Sequence, residues 1–106
     1  MELSEIRENI DRIDKQIIKL FAERMECAKL VGEYKKEHNI PILNEEREKE
    51  ILDSTEKSCG EYGSSARILF GNIMELSRAL QHDIVGSGSE LRNIIENSEK
   101  IIPSDI

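Results

Sequence analysis

The sequence has little of what builds disulfide-bonded, metal-binding or membrane-spanning proteins. Its 106 residues include two cysteines, two histidines and no tryptophan. Cys27 and Cys59 do not form a C-x-x-C pair, and neither His38 nor His82 has ligand-like spacing to them, so we expect reduced thiols and no metal. No hydrophobic run is long enough to span a bilayer, and the N-terminus lacks the basic-then-apolar form of a signal peptide. These absences predict a cytoplasmic protein.

Positive charge is also scarce. The 22 Asp and Glu residues against 15 Lys and Arg give a formal net charge of −7, which argues against nucleic acid or an anionic membrane as a partner. There is no serine, histidine and acid arrangement and no Gly-rich phosphate loop. A hydrophobic share of 38% and a charged share of 35%, with few aromatics, predict one small all-helical domain whose core is only just sufficient.

A long amphipathic stretch organises the N-terminal third of the chain. Apolar residues recur there at steps of three and four, which predicts one long helix packed along its length against partner helices. They are Leu3, Ile6, Ile10, Ile13, Ile17, Leu20, Cys27, Val31 and Tyr34. A helix over residues 3–38 would be about 54 Å long, and a chain this short cannot cover it by folding back once. We therefore expect a second copy to help cover it.

Arg24 interrupts this apolar seam, where the spacing after Leu20 calls for an apolar residue. An arginine in the seam is unfavourable unless an anion meets it, although it can also extend to solvent or pair with Glu23 or Glu26. Lys35 lies eleven residues further on, and eleven steps of about 100° return to within about 20° of the same direction, roughly 16 Å along the axis. The two cations can therefore converge on one small ligand.

Capping and breaking residues divide the chain into three main helices. Ser4 is predicted to cap the first, which ends at His38 before Pro41. Asn44 is predicted to cap a second helix that runs to about residue 57, and Ser64 or Ser65 a third that runs to about residue 83. Residues 60–63 are predicted to form a loop.

Short motifs, each weak alone, follow one another along residues 3–83 in a specific order. They are Ile6-Arg7, Ile13-Asp14, Leu20-Phe21-Ala22-Glu23-Arg24, Val31-Gly32-Glu33-Tyr34-Lys35, Pro41-Ile42, Asn44 followed by Arg47-Glu48, and Ser77 with Gln81. Together they resemble the all-helical chorismate mutases. The resemblance implies an all-α fold in which one long, one short and one medium helix form an intertwined homodimeric bundle.

The resemblance also implies a substrate pocket built from both chains of the dimer. It assigns to one chain Arg24, Lys35, Asn44, Arg47, Glu48, Ser77 and Gln81. Arg7 is implied to enter the pocket from the other chain. Asn44 stands where some relatives have aspartate, and that position is implied to contribute largely through its backbone.

The chemistry of chorismate fits these residue types. Chorismate is a dicarboxylate with an ether oxygen and a ring hydroxyl, and it rearranges to prephenate within one molecule. No proton need move, so no cofactor, metal or general base is implied; the protein must hold the reactive conformer and stabilise charge on the ether oxygen. The implied catalytic residues are Arg24, which suits a carboxylate, and Lys35 and Gln81, which can donate to the ether oxygen. Glu48 can accept from the hydroxyl, and Ser77 can support a carboxylate.

Other interpretations of the polar residues stay open at this point. An isochorismate pyruvate-lyase has the same fold and a similar cationic pocket, and a helical dimerisation or regulatory module would have no catalysis at all. Arg47 and Glu48 are also compatible with ordinary solvated charges on a short helix. Arg78, next to Ser77, has no implied role: it lies on the surface or adds charge near the pocket mouth.

The composition of the sequence changes after residue 84, where glycine and serine alternate over residues 86–89. We expect residues 1–84 to form the mutase domain and residues 85–106 to be a flexible tail or an interdomain linker, with a short weak helix over residues 90–100. Mutases of this kind are often fused to a prephenate dehydratase, so the tail resembles a linker toward such a domain beyond Ile106. A disordered terminus is an equal alternative.

Overall fold

The computed structural model describes residues 1–86 and 90–97, which form four α-helices and one turn of 3-10 helix. The helices are α1 (Leu3–His38), α2 (Glu45–Ser58), α3 (Gly63–Val85) and α4 (Glu90–Asn97), with the 3-10 turn at Gly60–Tyr62. The prediction of an all-α chain with one long, one short and one medium helix is confirmed. Three predicted features lie outside the described residues. They are the end of the last helix at residue 100, the tail after it and most of the predicted linker.

α1 begins at Leu3, and the prediction that Ser4 caps it is wrong. Glu2 is the flanking residue, with extended backbone angles of φ −73° and ψ 151°, and its carbonyl accepts two backbone N–H groups of the first turn at 3.1 Å each. Ser4 already lies inside the helix, so it lacks the extended backbone that a capping side chain needs. The other end is as predicted: α1 stops at His38, and Asn39 adopts the left-handed conformation that commonly closes a helix.

The predicted cap of α2 is confirmed, but the predicted cap of α3 is not. Asn44 caps α2 as expected, with its Oδ1 accepting the Arg47 backbone N–H at 3.0 Å. α3 begins at Gly63, so the prediction that Ser64 or Ser65 caps it is wrong. The 3-10 turn, predicted only as a loop, runs directly into α3 and leaves no extended residue for a side-chain cap at the junction.

α3 is the centre of the fold, because α1, α2 and α4 each pack against it. The buried side chains of the described residues are mostly small or polar. They are Ala28, Met74, Ser77, Ala79 and Gln81. Gly32 is buried in α1 as well. Small residues let helix backbones approach closely, so the core lies between the second half of α1 and the second half of α3.

The apolar seam of α1 stays largely uncovered in the single chain. Ile13, Ile17 and Leu20 are 43%, 57% and 62% exposed, respectively, and the molecule measures 54 × 31 × 21 Å. A continuous apolar face of this kind usually marks an interaction surface. The second copy that we expect to cover it is not part of this structure. No helix in the described part of the chain is long and apolar enough to cross a membrane.

Gly63 occupies a junction with no room for a side chain. A Cβ there would overlap the Glu56 carbonyl oxygen, which belongs to the backbone and cannot rotate away. We expect Gly63→Ala to lower the free energy of unfolding by about 2 kcal/mol in urea denaturation. Gly71→Ala is the matched control: no atom lies within 4 Å of its Cβ position, so helix propensity should raise stability by about 1 kcal/mol. Equal stabilities of the two variants would contradict this account.

Candidate active site

A cleft of about 420 Å³ opens where α1, α2 and α3 meet, next to the segment that joins α1 to α2. Its walls combine cationic, polar and apolar side chains. They are Arg24, Cys27, Ala28, Val31, Lys35, Ile42, Asn44, Arg47, Glu48, Ile51, Met74, Ser77, Arg78 and Gln81. The cleft is therefore built from every helix of the predicted three-helix unit.

Seven of the eight predicted pocket residues line this cleft. They are Arg24, Lys35, Asn44, Arg47, Glu48, Ser77 and Gln81. Arg7 does not: it lies on the exposed first half of α1. The eleven-residue spacing of Arg24 and Lys35 does bring both to one cleft, as the helical geometry predicts.

Arg24 is held by Ser77 across the α1–α3 contact. Its Nη1 donates to Ser77 Oγ at 3.0 Å, and Ser77 Oγ in turn donates to the Ile73 carbonyl at 2.8 Å. Within residues 1–86 and 90–97, no carboxylate pairs with Arg24, so the expected alternative of an ion pair with Glu23 or Glu26 is not seen. The guanidinium keeps most of its donors for an anion in the cleft.

Lys35 lines the same cleft and is held by a backbone carbonyl. Its Nζ donates to the carbonyl of Ile42, in the segment between α1 and α2. Partial burial lowers the pKa of Lys35 below its ordinary value of 10.5, and the charge of Glu48 opposes this only in part. Burial without a bonded carboxylate is costly for an ammonium group, which suits a site that receives an anionic ligand.

The α2 wall carries Arg47 and Glu48. The Arg47 guanidinium lies 3.5 Å from Glu50 in an exposed pair, and such pairs contribute little to stability, so it can turn toward a ligand. Glu48 forms an ion pair with Arg78 of α3, which links the two helices across the cleft. Asn44 is engaged at both of its oxygens: Oδ1 accepts the Arg47 backbone N–H in the helix cap, and the backbone carbonyl accepts the Glu48 N–H.

Gln81 packs against Gly32, where α1 and α3 approach each other closely. A Cβ at Gly32 would lie 3.1 Å from Gln81 Cγ and 3.2 Å from its Cα, so a larger residue there would require Gln81 to shift by a few tenths of an ångström. Gln81 is buried, and its Oε1 has no hydrogen-bond partner among the described residues. The close contact fixes the backbone from which the amide reaches the cleft.

Sequence reasoning missed one charged member of the cleft and most of its apolar walls. Arg78 carried no implied role, although its position three residues before Gln81 puts it on the same flank of α3. Ile51 was not assigned to the pocket, although it follows Glu48 by three residues on α2. Helical spacing from the assigned residues is the signal that could have found both.

The charges of the cleft have the opposite sign to the protein as a whole. Four cations line it, namely Arg24, Lys35, Arg47 and Arg78, against one carboxylate, Glu48, for a local balance of three positive charges. The whole chain carries a formal −7. Cations in a partly enclosed cleft attract anions more strongly than the same cations in open water, so the site suits a small anionic molecule.

Comparison with known proteins assigns the family. The chain matches the family described as chorismate mutase type II over residues 6–82. It is also 45% identical over 83 residues to the chorismate mutase of Methanocaldococcus jannaschii, which covers 76% of this chain and 84% of that protein. The chain belongs to the type II chorismate mutase family, as the sequence motifs predict.

Longer relatives match over shorter stretches. The bifunctional chorismate mutase/prephenate dehydratase of Aquifex aeolicus is 50% identical over 52 residues, which are 49% of this chain and 14% of that protein. The T-protein of Haemophilus influenzae is 36% identical over 67 residues, 63% of this chain and 18% of that protein. No solved structure gives a significant match.

The lowered pKa of Lys35 predicts an alkaline limit to activity. The value of kcat/KM for chorismate, which reports the free enzyme, should fall at a pH below the ordinary lysine value of 10.5. Lys35→Arg should retain its own activity to higher pH, since a guanidinium keeps its proton there. A wild-type profile that is flat through pH 10.5 would contradict the prediction.

Loss of the Lys35 proton would not destabilise the folded state, so unfolding caused by this group does not explain such a fall in activity. Because the pKa of Lys35 is lower in the folded state, the unfolded chain binds more protons there, and this group's contribution to stability rises with pH. A circular dichroism spectrum at each pH is the control: the helical signal should persist where kcat/KM falls.

Proposed function

We propose that this chorismate mutase uses the cleft as its active site and rearranges chorismate to prephenate by fixed charges and hydrogen bonds. Neither covalent nor acid–base chemistry is involved in the step. The observation that carries the proposal is the local excess of cations, which surround a cleft whose one carboxylate is already paired with Arg78. Preorganised donors of this kind stabilise charge as it develops, without reorganising during the reaction.

The two arginines facing the cleft suit the two carboxylates of chorismate. Arg24 is preoriented by its bond to Ser77, so it can meet one carboxylate with a two-pronged hydrogen bond, and the Ser77 hydroxyl can support the same group. Arg47 has only an exposed partner and can reorient toward the substrate. Holding both carboxylates fixes the folded conformer in which the reacting carbons approach each other.

Lys35 and Gln81 are the donors to the ether oxygen. Lys35 uses one of its three N–H donors on the Ile42 carbonyl, which leaves two for the substrate. The Oε1 of Gln81 is buried, so its Nε2 is the amide atom that can serve a ligand in the cleft. Glu48 then accepts the ring hydroxyl, and Asn44 contributes through its backbone.

The direct test is the conversion of chorismate by the purified chain. We expect the absorbance of chorismate to fall and prephenate to be recovered as the product. Pyruvate released from isochorismate would instead indicate a lyase, and no turnover of either compound would indicate a non-catalytic helical module.

A carboxylate in place of Gln81 should make catalysis depend on acid pH. In Gln81→Glu, the ionised side chain repels the developing ether charge, and only its protonated form can donate. We expect kcat near pH 7 to fall by about 10²-fold or more and to recover as the pH is lowered. Gln81→Ala is the control, because it lacks the donor at every pH and should show no recovery. A flat profile in Gln81→Glu would remove Gln81 from this role.

Arg7 cannot reach the cleft of its own chain. Arg7 and Arg24 are 17 residues apart, which on one helix means about 25 Å along the axis and about 100° around it. If two α1 helices pair antiparallel about a twofold axis near Ile17 or Ile18, Arg7 of the second copy falls beside the interval between Arg24 and Lys35. We therefore propose a homodimer with two cleft sites, each built from both chains.

The surface of α1 supports this arrangement. Ile17 and Ile18, at the proposed axis, are 57% and 68% exposed, and an antiparallel partner would cover them by symmetry. The same partner would cover Ile6 and Ile13, which are also exposed. Burial of this apolar surface would supply the stabilisation that the single chain lacks.

Mixing two inactive variants tests the two-chain site. Arg7→Ala and Arg24→Ala, refolded together, should form heterodimers in which one site carries both changes and the other carries neither. Activity should return toward about half of the wild-type value per heterodimer, if the sites act independently. The measurement is chorismate turnover by the mixture, with heterodimers quantified by native mass spectrometry.

A matched mixture provides the control. Arg24→Ala and Lys35→Ala belong to the same side of one site, so each site of their heterodimer carries one change and activity should stay at the level of the parents. The two-chain site would be wrong if the Arg7→Ala and Arg24→Ala heterodimer were equally inactive.

The domain boundaries, a fused second domain and the cellular location stay predictions. The family match ends at residue 82, which supports a mutase domain over residues 1–84 followed by a tail or linker. α4 packs against α3, so part of that segment lies against the domain. The A. aeolicus relative combines a mutase with a dehydratase, and we keep a fused prephenate dehydratase beyond Ile106 and a cytoplasmic location as proposals.

A further inference from the structure

Arg78, to which the sequence motifs assign no role, pairs with Glu48 in the structure. From α3, its Nη1 forms an ion pair with Glu48 Oε1 on α2, and the side chains of the two residues are only 30% and 23% exposed. Both side chains line the cleft. A charged pair at this depth is more strongly coupled than a pair on the open surface.

This pair constrains the one carboxylate of the cleft. Arg78 engages Oε1 of Glu48 and leaves Oε2 without a described partner. We infer that Arg78 is a positioning residue: it holds Glu48 in the orientation in which the free carboxylate oxygen accepts the ring hydroxyl of the substrate. The inference rests on the proposed function, since it deepens the role given there to Glu48.

The place of Arg78 favours an indirect role over a direct one. Besides the cleft, it lines a second hollow of about 320 Å³ between α3 and α4, with Asn93 and Ile94 on the α4 side. Arg78 therefore lies at the edge of the cleft. If it turned inward to bind a substrate carboxylate, Glu48 would lose its partner while still partly buried, which is unfavourable. Arg24 and Arg47 already face the cleft without that cost.

A second ion pair between the same helices provides a matched control. Arg67 of α3 lies 2.9 Å from Asp53 and 3.8 Å from Glu56 of α2, and none of these three residues lines the cleft. Arg67 is 37% exposed at its side chain, close to the value for Arg78. A variant at Arg67 therefore reports what is lost when α2 and α3 merely lose a salt bridge.

The first test compares the kinetics of Arg78→Met and Arg67→Met. Arg78→Met should lower kcat/KM for chorismate by about 10-fold or more, while Arg67→Met leaves it within about twofold of wild type. The loss should appear mainly in KM, since the hydroxyl contact exists in the bound substrate as well as in the transition state. Arg78→Lys should recover part of the loss, because an ammonium can still pair with Glu48. Equal losses in the Arg78→Met and Arg67→Met variants would overturn the inference.

The second test asks whether Arg78 acts through Glu48. In a Glu48→Ala background, Arg78→Met should lower kcat/KM by less than about twofold, because there is no carboxylate left to position. If Arg78→Met costs the same factor with and without Glu48, then Arg78 contacts the substrate itself and is not a positioning residue.

A ligand-free crystal structure separates this inference from the proposed function. Wild type and Arg67→Met should both show the Glu48 carboxylate bonded to Arg78 and directed into the cleft, and Arg78→Met should show it turned away. Glu48 in an unchanged orientation in Arg78→Met would overturn the positioning role. A chain that does not convert chorismate would overturn the proposed function, whatever the orientation of Glu48.

Discussion

The close approach of α1 to α3 at Gly32 is the constraint on which the site depends. A Cβ at Gly32 would lie 3.1 Å from Gln81 Cγ, so a larger residue there would require α1 and α3 to shift apart by a few tenths of an ångström. That separation sets the 3.0 Å bond from Arg24 to Ser77 one turn away on α3. It also fixes Lys35 relative to Gln81, the two donors assigned to the ether oxygen. A site that works by fixed charges needs this rigidity, because loosely held donors would lose much of their advantage over water.

The same design leaves much apolar surface of the single chain exposed. Small residues give the helices their close contact, but they bury little apolar surface, and the first half of α1 extends away from the core with its isoleucines exposed. A cleft with four cations and one carboxylate in a chain of formal charge −7 is likewise unfavourable without an anion. A second chain would meet the first deficit and a dicarboxylate ligand the second, and each would stabilise the folded state by binding to it alone.

The sequence predicted what is periodic along one helix or local to one cap. The spacing of Arg24 and Lys35, the end of α1 at His38 and the cap at Asn44 all follow from backbone geometry within a few residues. The pairing of Arg78 with Glu48 could not be predicted in this way, because Glu48 lies 30 residues earlier on another helix. The predicted start of α3 was wrong for a similar reason. The 3-10 turn and the contact of Gly63 with Glu56 depend on how the helices pack, which spacing along one helix does not show. The role proposed for Arg7 requires a second chain, so no pattern within one helix could establish it.

The central claim is that the rearrangement proceeds on fixed charges, with no proton transferred in the chemical step. The single-turnover rate of chorismate conversion in H₂O and D₂O, at matched positions on the pH profile, tests it most directly. Since none of the cleft residues is assigned as an acid or base, the ratio of the two rates should be about 1. A ratio of about 2 or more would show that a proton moves in the rate-limiting step, and it would contradict the account.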